Sequence, residues 1–158
     1  MLIECKILHT MKRSMAVPDS EAIQSNRISS HNAETVFKAL ANETRLRIVR
    51  MLRSTEKALC VCEIVDALQM PEYQISRHLA ALKKSGLVTA EKHSTWAYHR
   101  LTSEPALAPL WSYLDASLVG DPYDADIELL RRRLTLRAGD YCVVGFVSRD
   151  ELERARAD

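Results

Sequence analysis

The chain is short of glycine, has no long apolar run and lacks any cysteine spacing that suits a disulfide framework. Each shortage removes a class of protein. Four glycines in 158 residues, with 47% apolar side chains, describe a helix-rich folded chain rather than a disordered one. No stretch approaches the roughly 18–20 apolar residues of a membrane span, so no membrane partner is expected. Residues 1–14 carry an apolar patch broken by Glu4, Lys6 and His9, without the apolar region and small-residue cleavage site of a secretory signal. Cytoplasmic localisation follows as the expectation. There is no internal repeat, no low-complexity tract, no Cys-x-x-Cys, no phosphate-binding glycine loop and no positioned acid–base cluster. An enzyme is therefore not expected, nor an organic cofactor.

Four cysteines are present, at positions 5, 60, 62 and 142. Residues two apart are poor disulfide partners, and a reducing compartment keeps thiols free. The close pair Cys60 and Cys62 points instead to metal or redox chemistry.

The net charge of +1 is unevenly spread: residues 33–103 sum to +4 and residues 104–158 to −4. The middle of the chain is the part suited to face a polyanion. Residues 1–30 collect Ser, Asn, Pro and Asp without periodicity and read as a flexible arm, with Met11 and Met15 as alternative starts. Helical spacing begins with Val36, Phe37 and Leu40. Asn42 is an N-cap candidate for a second helix over 43–53, with Leu46, Ile48, Val49 and Leu52 on its apolar side. A third helix is predicted over 60–68, turning Ile64, Val65 and Leu68 inward. Pro71 suits the first turn of a fourth helix carrying Ile75, Leu79 and Leu82, which Gly86 terminates. Residues 87–89 and 97–101 then read as strands around a polar tip at 91–95. A helix over 105–118 places Leu107, Leu110, Trp111, Leu114 and Leu118 on one stripe, and that much apolar surface calls for a second subunit. Beyond it lie a helix over 127–137, a strand-like run over 141–147, and Arg131, Arg132 and Arg133, which are expected to pair within the acidic tail.

The predicted fold is mainly α with a small β-hairpin: a winged helix-turn-helix with a C-terminal dimerisation helix. Residues 1–30 are its arm, 31–120 the DNA-binding and dimerisation domain, and 121–158 a C-terminal extension. In such a fold the N-terminal half of the reading helix enters the major groove. Tyr73, Gln74, Ser76, Arg77 and His78 project there; Gln and Arg read base edges, while Ser and Tyr suit phosphates. Lys83 and Lys84 would grip the backbone, as would Lys92 and His93 on the wing. The expected partners are double-stranded operator DNA and a second copy of the chain.

These segments resemble the ArsR/SmtB family of winged-helix metalloregulators. The resemblance runs through Phe37–Ile48 (FKALANETRLRI), Leu59–Ile64 (LCVCEI), Ile75–Leu79 (ISRHL) with Leu82, Ser85–Val88 (SGLV) and Trp96–Leu101 (WAYHRL), within about residues 33–118. It implies a dimeric repressor released from its operator by an inducer. The family's zinc- and nickel-type site needs histidines on the helix over 105–118, where this chain has none. Its Cys-Val-Cys site, here Cys60 and Cys62, goes with trivalent arsenic and antimony, so arsenite or antimonite is the implied inducer, with another soft metal ion as the alternative. A variant with cysteines in the arm goes with cadmium and lead, a role open to Cys5.

In a regular helix, residues two apart point about 200° from each other. Cys60 and Cys62 can therefore share an ion only if the helix start is irregular. Soft thiolates select soft ions. The third ligand that similar arsenic-type proteins carry one turn later is Val65 here. Cys142 is a candidate for that place; its plainer reading is a small buried residue among Tyr141, Val143 and Val144. Cys5 is another candidate, and water or a small thiol could also complete the site. A thiol redox switch on the same fold is the remaining alternative. Trp111 reads as dimer-interface core and His99 as a polar surface residue.

Overall fold

A computed structural model describes residues 30–155. In chain order the elements are α1 (Ser30–Leu40), α2 (Glu43–Arg53), β1 (Leu59–Cys60), α3 (Val61–Leu68), α4 (Glu72–Lys84), β2 (Val88–His93) and β3 (Trp96–Leu101). A 3-10 turn (Pro105–Leu107) then leads into α5 (Ala108–Ser117), followed by α6 (Tyr123–Leu134) and α7 (Arg149–Arg154). The architecture is the expected one, a mostly helical winged helix-turn-helix with a small antiparallel sheet. Cys5 and the arm lie outside the described residues.

The local signals act as anticipated at most helix ends. Asn42 caps α2, its side-chain oxygen accepting from the Arg45 N–H at 3.1 Å. Pro71 stands one residue earlier than a first-turn position, as the N-cap of α4. Gly86 follows α4 at φ 76°, the left-handed conformation in which a residue without Cβ carries no steric penalty. The core joins Ile48 and Val49 of α2, Leu59 of β1, Ile64 of α3, and Ile75, Leu79 and Leu82 of α4. Spacings of three and four residues bring each set to one helix face.

Several boundaries move. The hairpin strands are longer than predicted, pairing from Val88 with Leu101 to His93 with Trp96. The tip shrinks to Ser94 and Thr95, with Ser94 at φ 55°. Exposed polar residues on a hairpin edge hide strand structure from a hydropathy pattern, because only the inward face must be apolar. The last predicted helix begins four residues earlier and ends at Leu134. The run over 141–147 is not a strand; its one β-type pairing among the described residues is an isolated bridge between Ala138 and Tyr141. The short helix α7 was not anticipated.

One expectation about burial is corrected. Leu107, Trp111, Leu114 and Leu118 are buried within this one chain, so Trp111 belongs to the subunit's own core and the stripe needs no second subunit to cover it. Phe37, which shares the helical spacing of Val36 and Leu40, is 63% exposed. Residues 121–155 are also packed rather than appended. Asp126 of α6 forms a two-pronged ion pair with Arg47 at 2.7 Å on both arms, and Leu130 joins the main core. The negative tail and positive middle of the sequence are thus partly spent on each other.

Candidate metal centre and nucleic-acid interface

Cys60 ends β1 and is the N-cap of α3, with an extended backbone at φ −82° and ψ 163°. It is therefore not a helical residue, contrary to the predicted span over 60–68. This irregular start removes the angular obstacle. Cys60 Sγ and Cys62 Sγ lie 2.8 Å apart. The Glu63 carboxylate accepts from the Cys60 N–H at 2.9 Å, one half of a capping box in which the third helical residue reaches back to the cap. Pairing of Cys60 with Tyr98 in the sheet holds the turn from the other side.

Cys142 arrives from the segment after α6, and its Sγ is 3.5 Å from Cys62 Sγ. The three sulfurs lie within 4.8 Å of one another, and none of the three residues is more than 4% exposed. Sequence reasoning had named Cys142 but could not choose between a ligand and a core residue. It missed the groups around the thiols. Arg133, fully buried, donates to Asp66 at 2.7 Å, to the Val144 and Gly145 carbonyls at 3.1 and 2.8 Å, and to Cys142 Sγ at 3.4 Å. Arg137 donates through two nitrogens to Glu63, each at 2.7 Å, and to the Ala58 carbonyl. The Cys142 N–H donates to Tyr98 Oη at 2.8 Å. The signal available in sequence was the pairing of Glu63 and Asp66 on a short apolar helix with arginines far downstream.

The thiols are electrostatically unequal. The hydrogen bond from Cys60 holds the Cys62 thiol down at about 7, opposed by burial and helped by Cys142 and the Arg133 guanidinium. Its partner Cys60 is held protonated by the same bond, by burial and by the Glu63 carboxylate. Burial also pushes Cys142 up. A set of three close, buried sulfur ligands with one thiolate available near neutrality fits a soft ion. A cavity of about 470 Å³ shares Tyr98 and Arg137 with this shell and is also lined by Lys57, His93 and Tyr141.

The predicted DNA face is on the surface. Tyr73, Ser76, Arg77, Lys83 and Lys84 of α4 are exposed, while Gln74 and His78 are half-buried. Gln74 donates to Tyr73 Oη at 2.9 Å. Lys92 and His93 are exposed on the wing, but the His93 ring is stacked on Tyr141 with centroids 3.7 Å apart and planes 8° from parallel. His93 thus braces the wing against the Cys142 segment.

His99 is buried at 6% exposure and neither ring nitrogen has a partner among the described residues, so its reading as a surface residue is corrected. Burial, with the Lys83 ammonium adding to it, pushes the imidazole down to about 4. The unfolded chain binds a proton below about pH 6.5 that the folded chain refuses until about 4. Stability is therefore expected to fall as pH drops through this window, by about 1.4 kcal/mol per pH unit from this group. Thermal melts of wild type and His99→Phe between pH 7 and 4 check this: the variant should lose that part of the slope.

A helix-turn-helix, a hairpin wing and a buried thiol cluster are together the parts of a winged-helix regulator. Residues 42–90 match the family model described as bacterial regulatory protein, arsR family. An uncharacterized HTH-type transcriptional regulator of Methanocaldococcus jannaschii is 40% identical over 72 residues, which are 46% of this chain and 80% of that protein. The arsenic resistance transcriptional regulator ArsR1 of Pseudomonas putida is 42% identical over 85 residues, 54% of this chain and 62% of that protein. Reduced HlyU from Vibrio cholerae superposes with a TM-score of 0.50 at 29% identity, over 63% of this chain and 99% of that one. The chain belongs to the ArsR family of transcriptional regulators. It spans about three fifths of the length of the Pseudomonas arsenic regulator.

Proposed function

We propose that the protein is a homodimeric repressor that binds operator DNA and releases it when trivalent arsenic or antimony is held by Cys60, Cys62 and Cys142. The observation that carries this reading is the gathering of three buried sulfurs within 4.8 Å, two from the front of α3 and one from the far end of the chain. Similarity to a regulator named for arsenic resistance supports the choice of ion. In this reading residues 31–120 bind DNA and dimerise, while 121–158 complete the sensor. Tyr73, Gln74, Ser76, Arg77 and His78 face the major groove, with Lys83, Lys84 and Lys92 on phosphates. The exposed side chains of Phe37 on α1 and Tyr113 on α5 supply apolar surface for the dimer.

A trivalent metalloid supplies three bonds to sulfur. Cys60 and Cys62 tie it to the junction of β1 and α3. Helix α3 packs on the reading helix α4, and Leu68, Ile75 and Leu79 belong to one core. Cys142 ties it to the wing, through its N–H on Tyr98 and through Tyr141 on His93. Drawing three sulfurs together therefore acts on both DNA-contacting elements, which is the differential affinity that release requires.

Fluorescence anisotropy on DNA from the protein's own promoter tests the reading. Reduced wild type is expected to bind and to let go on adding arsenite. The Cys60→Ser/Cys62→Ser double variant should bind equally and ignore arsenite. Wild-type binding that ignores arsenite sinks the metalloid reading.

A thiol redox switch is the second reading, favoured by the low Cys62 thiol and its 3.5 Å approach to Cys142. Release by peroxide, reversed by dithiothreitol, would support it. A cadmium/lead-type sensor completed by Cys5 is less well supported, because Cys142 brings a third sulfur within 3.5 Å of Cys62.

A further inference from the structure

The three sulfurs lie between two complete ion pairs. Arg133 and Asp66 meet at 2.7 Å with side chains 0% and 2% exposed. Arg137 and Glu63 meet at 2.7 Å with side chains 2% and 0% exposed. Each pair turns a different sign toward the thiols. The Arg133 guanidinium approaches Cys142 and Cys62 at 3.4 and 3.8 Å. The Glu63 carboxylate sits on the Cys60 N–H. Two cations and two anions, all nine-tenths or more buried, leave a shell with zero net charge around a set of three neutral or weakly acidic thiols.

We infer that Asp66, Glu63, Arg133 and Arg137 form a charge-balanced shell that determines the valence of the ion the cysteines accept, favouring trivalent over divalent ions. This rests on the proposed reading of the cysteines as the inducer site. Condensation of three thiols with arsenous acid breaks three S–H and three As–O bonds, forms three As–S bonds and releases three waters. The charge inside the shell is unchanged. Three thiols taking a divalent ion release three protons and leave one net negative charge inside. An uncompensated charge at a buried site is costly because little solvent relaxes around it. A divalent ion on two thiolates stays neutral but gives up its third ligand. Soft-ion preference comes from sulfur; the choice of valence comes from the shell, whose four residues would act without touching the ion.

The test compares arsenite and cadmium affinities of the reduced full-length protein, read from sulfur-to-ion ultraviolet absorption and from competition between the two ions. Asp66→Asn and Glu63→Gln each make the shell one unit more positive. Each is expected to raise the cadmium-to-arsenite affinity ratio by about tenfold or more. Arg137→Gln makes it one unit more negative and should lower the ratio by a similar factor. The balanced double variant Asp66→Asn/Arg133→Gln should return the ratio to the wild-type value. Circular dichroism selects folded variants, and the two positive-going substitutions stand in for each other if one fails to fold. Variants that weaken both ions equally, leaving the ratio unmoved, give these residues a merely structural role and overturn the inference. Wild type that binds no arsenite overturns both this inference and the reading beneath it.

Discussion

Arg133→Ala is expected to destabilise the protein by about 3–5 kcal/mol, the range for breaking a buried ion pair from one side. The side chain is fully buried and ties together three parts of the fold: Asp66 on α3, the Val144 and Gly145 carbonyls, and the sulfur of Cys142. Removing it strands the Asp66 carboxylate, which keeps only the Val147 N–H at 3.0 Å. It also frees two carbonyls and leaves a void. Burial already raises Asp66 above the usual carboxylate range, with Arg133 opposing. Without the arginine the carboxyl protonates more readily, so the deficit should shrink as pH falls. Urea denaturation at pH 7 and pH 5 measures both. The Asp66→Ala/Arg133→Ala double variant should cost less than the sum of the single ones, because the stranded charge is gone. A loss under about 1 kcal/mol, the range of an exposed pair, would mean that the C-terminal segment is only loosely docked.

Cys142→Ser is expected to weaken arsenite binding by about two orders of magnitude or more while leaving DNA affinity unchanged. A hydroxyl is a poor ligand for a soft ion, and the loss of one of three sulfur bonds removes the last ligand to be closed by the fold. Serine keeps the size of the side chain, and its oxygen can still donate to the Val144 carbonyl as the thiol does at 2.8 Å. The protein should therefore remain folded. Isothermal titration of reduced wild type and variant reads the affinity, and the operator anisotropy assay reads the DNA side. If Cys142→Ser binds and responds like wild type, Cys142 is a packing residue and the site is the Cys60–Cys62 pair alone. The two experiments inform each other, since Arg133→Ala should also misplace Cys142.

Asn42, Pro71, Gly86 and the spacing of Ile75, Leu79 and Leu82 were readable in the sequence because each acts locally. A cap, a fixed φ, a left-handed turn and a helical stripe depend on neighbours within one or two turns. The same reasoning placed the exposed polar side of α4 and the Cys60–Cys62 pair. It failed where partners come from afar. The stripe of Leu107, Trp111 and Leu114 showed that something must cover it, and only the packed subunit revealed that its own core does so. His99 alternates on a hairpin strand in the manner of a surface residue, yet its side faces α4.

The sequence by itself determined the winged helix-turn-helix and which polar side chains of its fourth helix stay exposed, because hydrophobic period and punctuation are properties of contiguous residues. The tertiary structure decided the cysteine cluster. The capping of α3 by Cys60 lets two thiols that a regular helix would separate point together, and the return of the chain after α6 brings Cys142 within 3.5 Å of Cys62. Asp66 meets Arg133 across 67 positions of sequence, a contact set by how buried charges must find partners rather than by any local pattern.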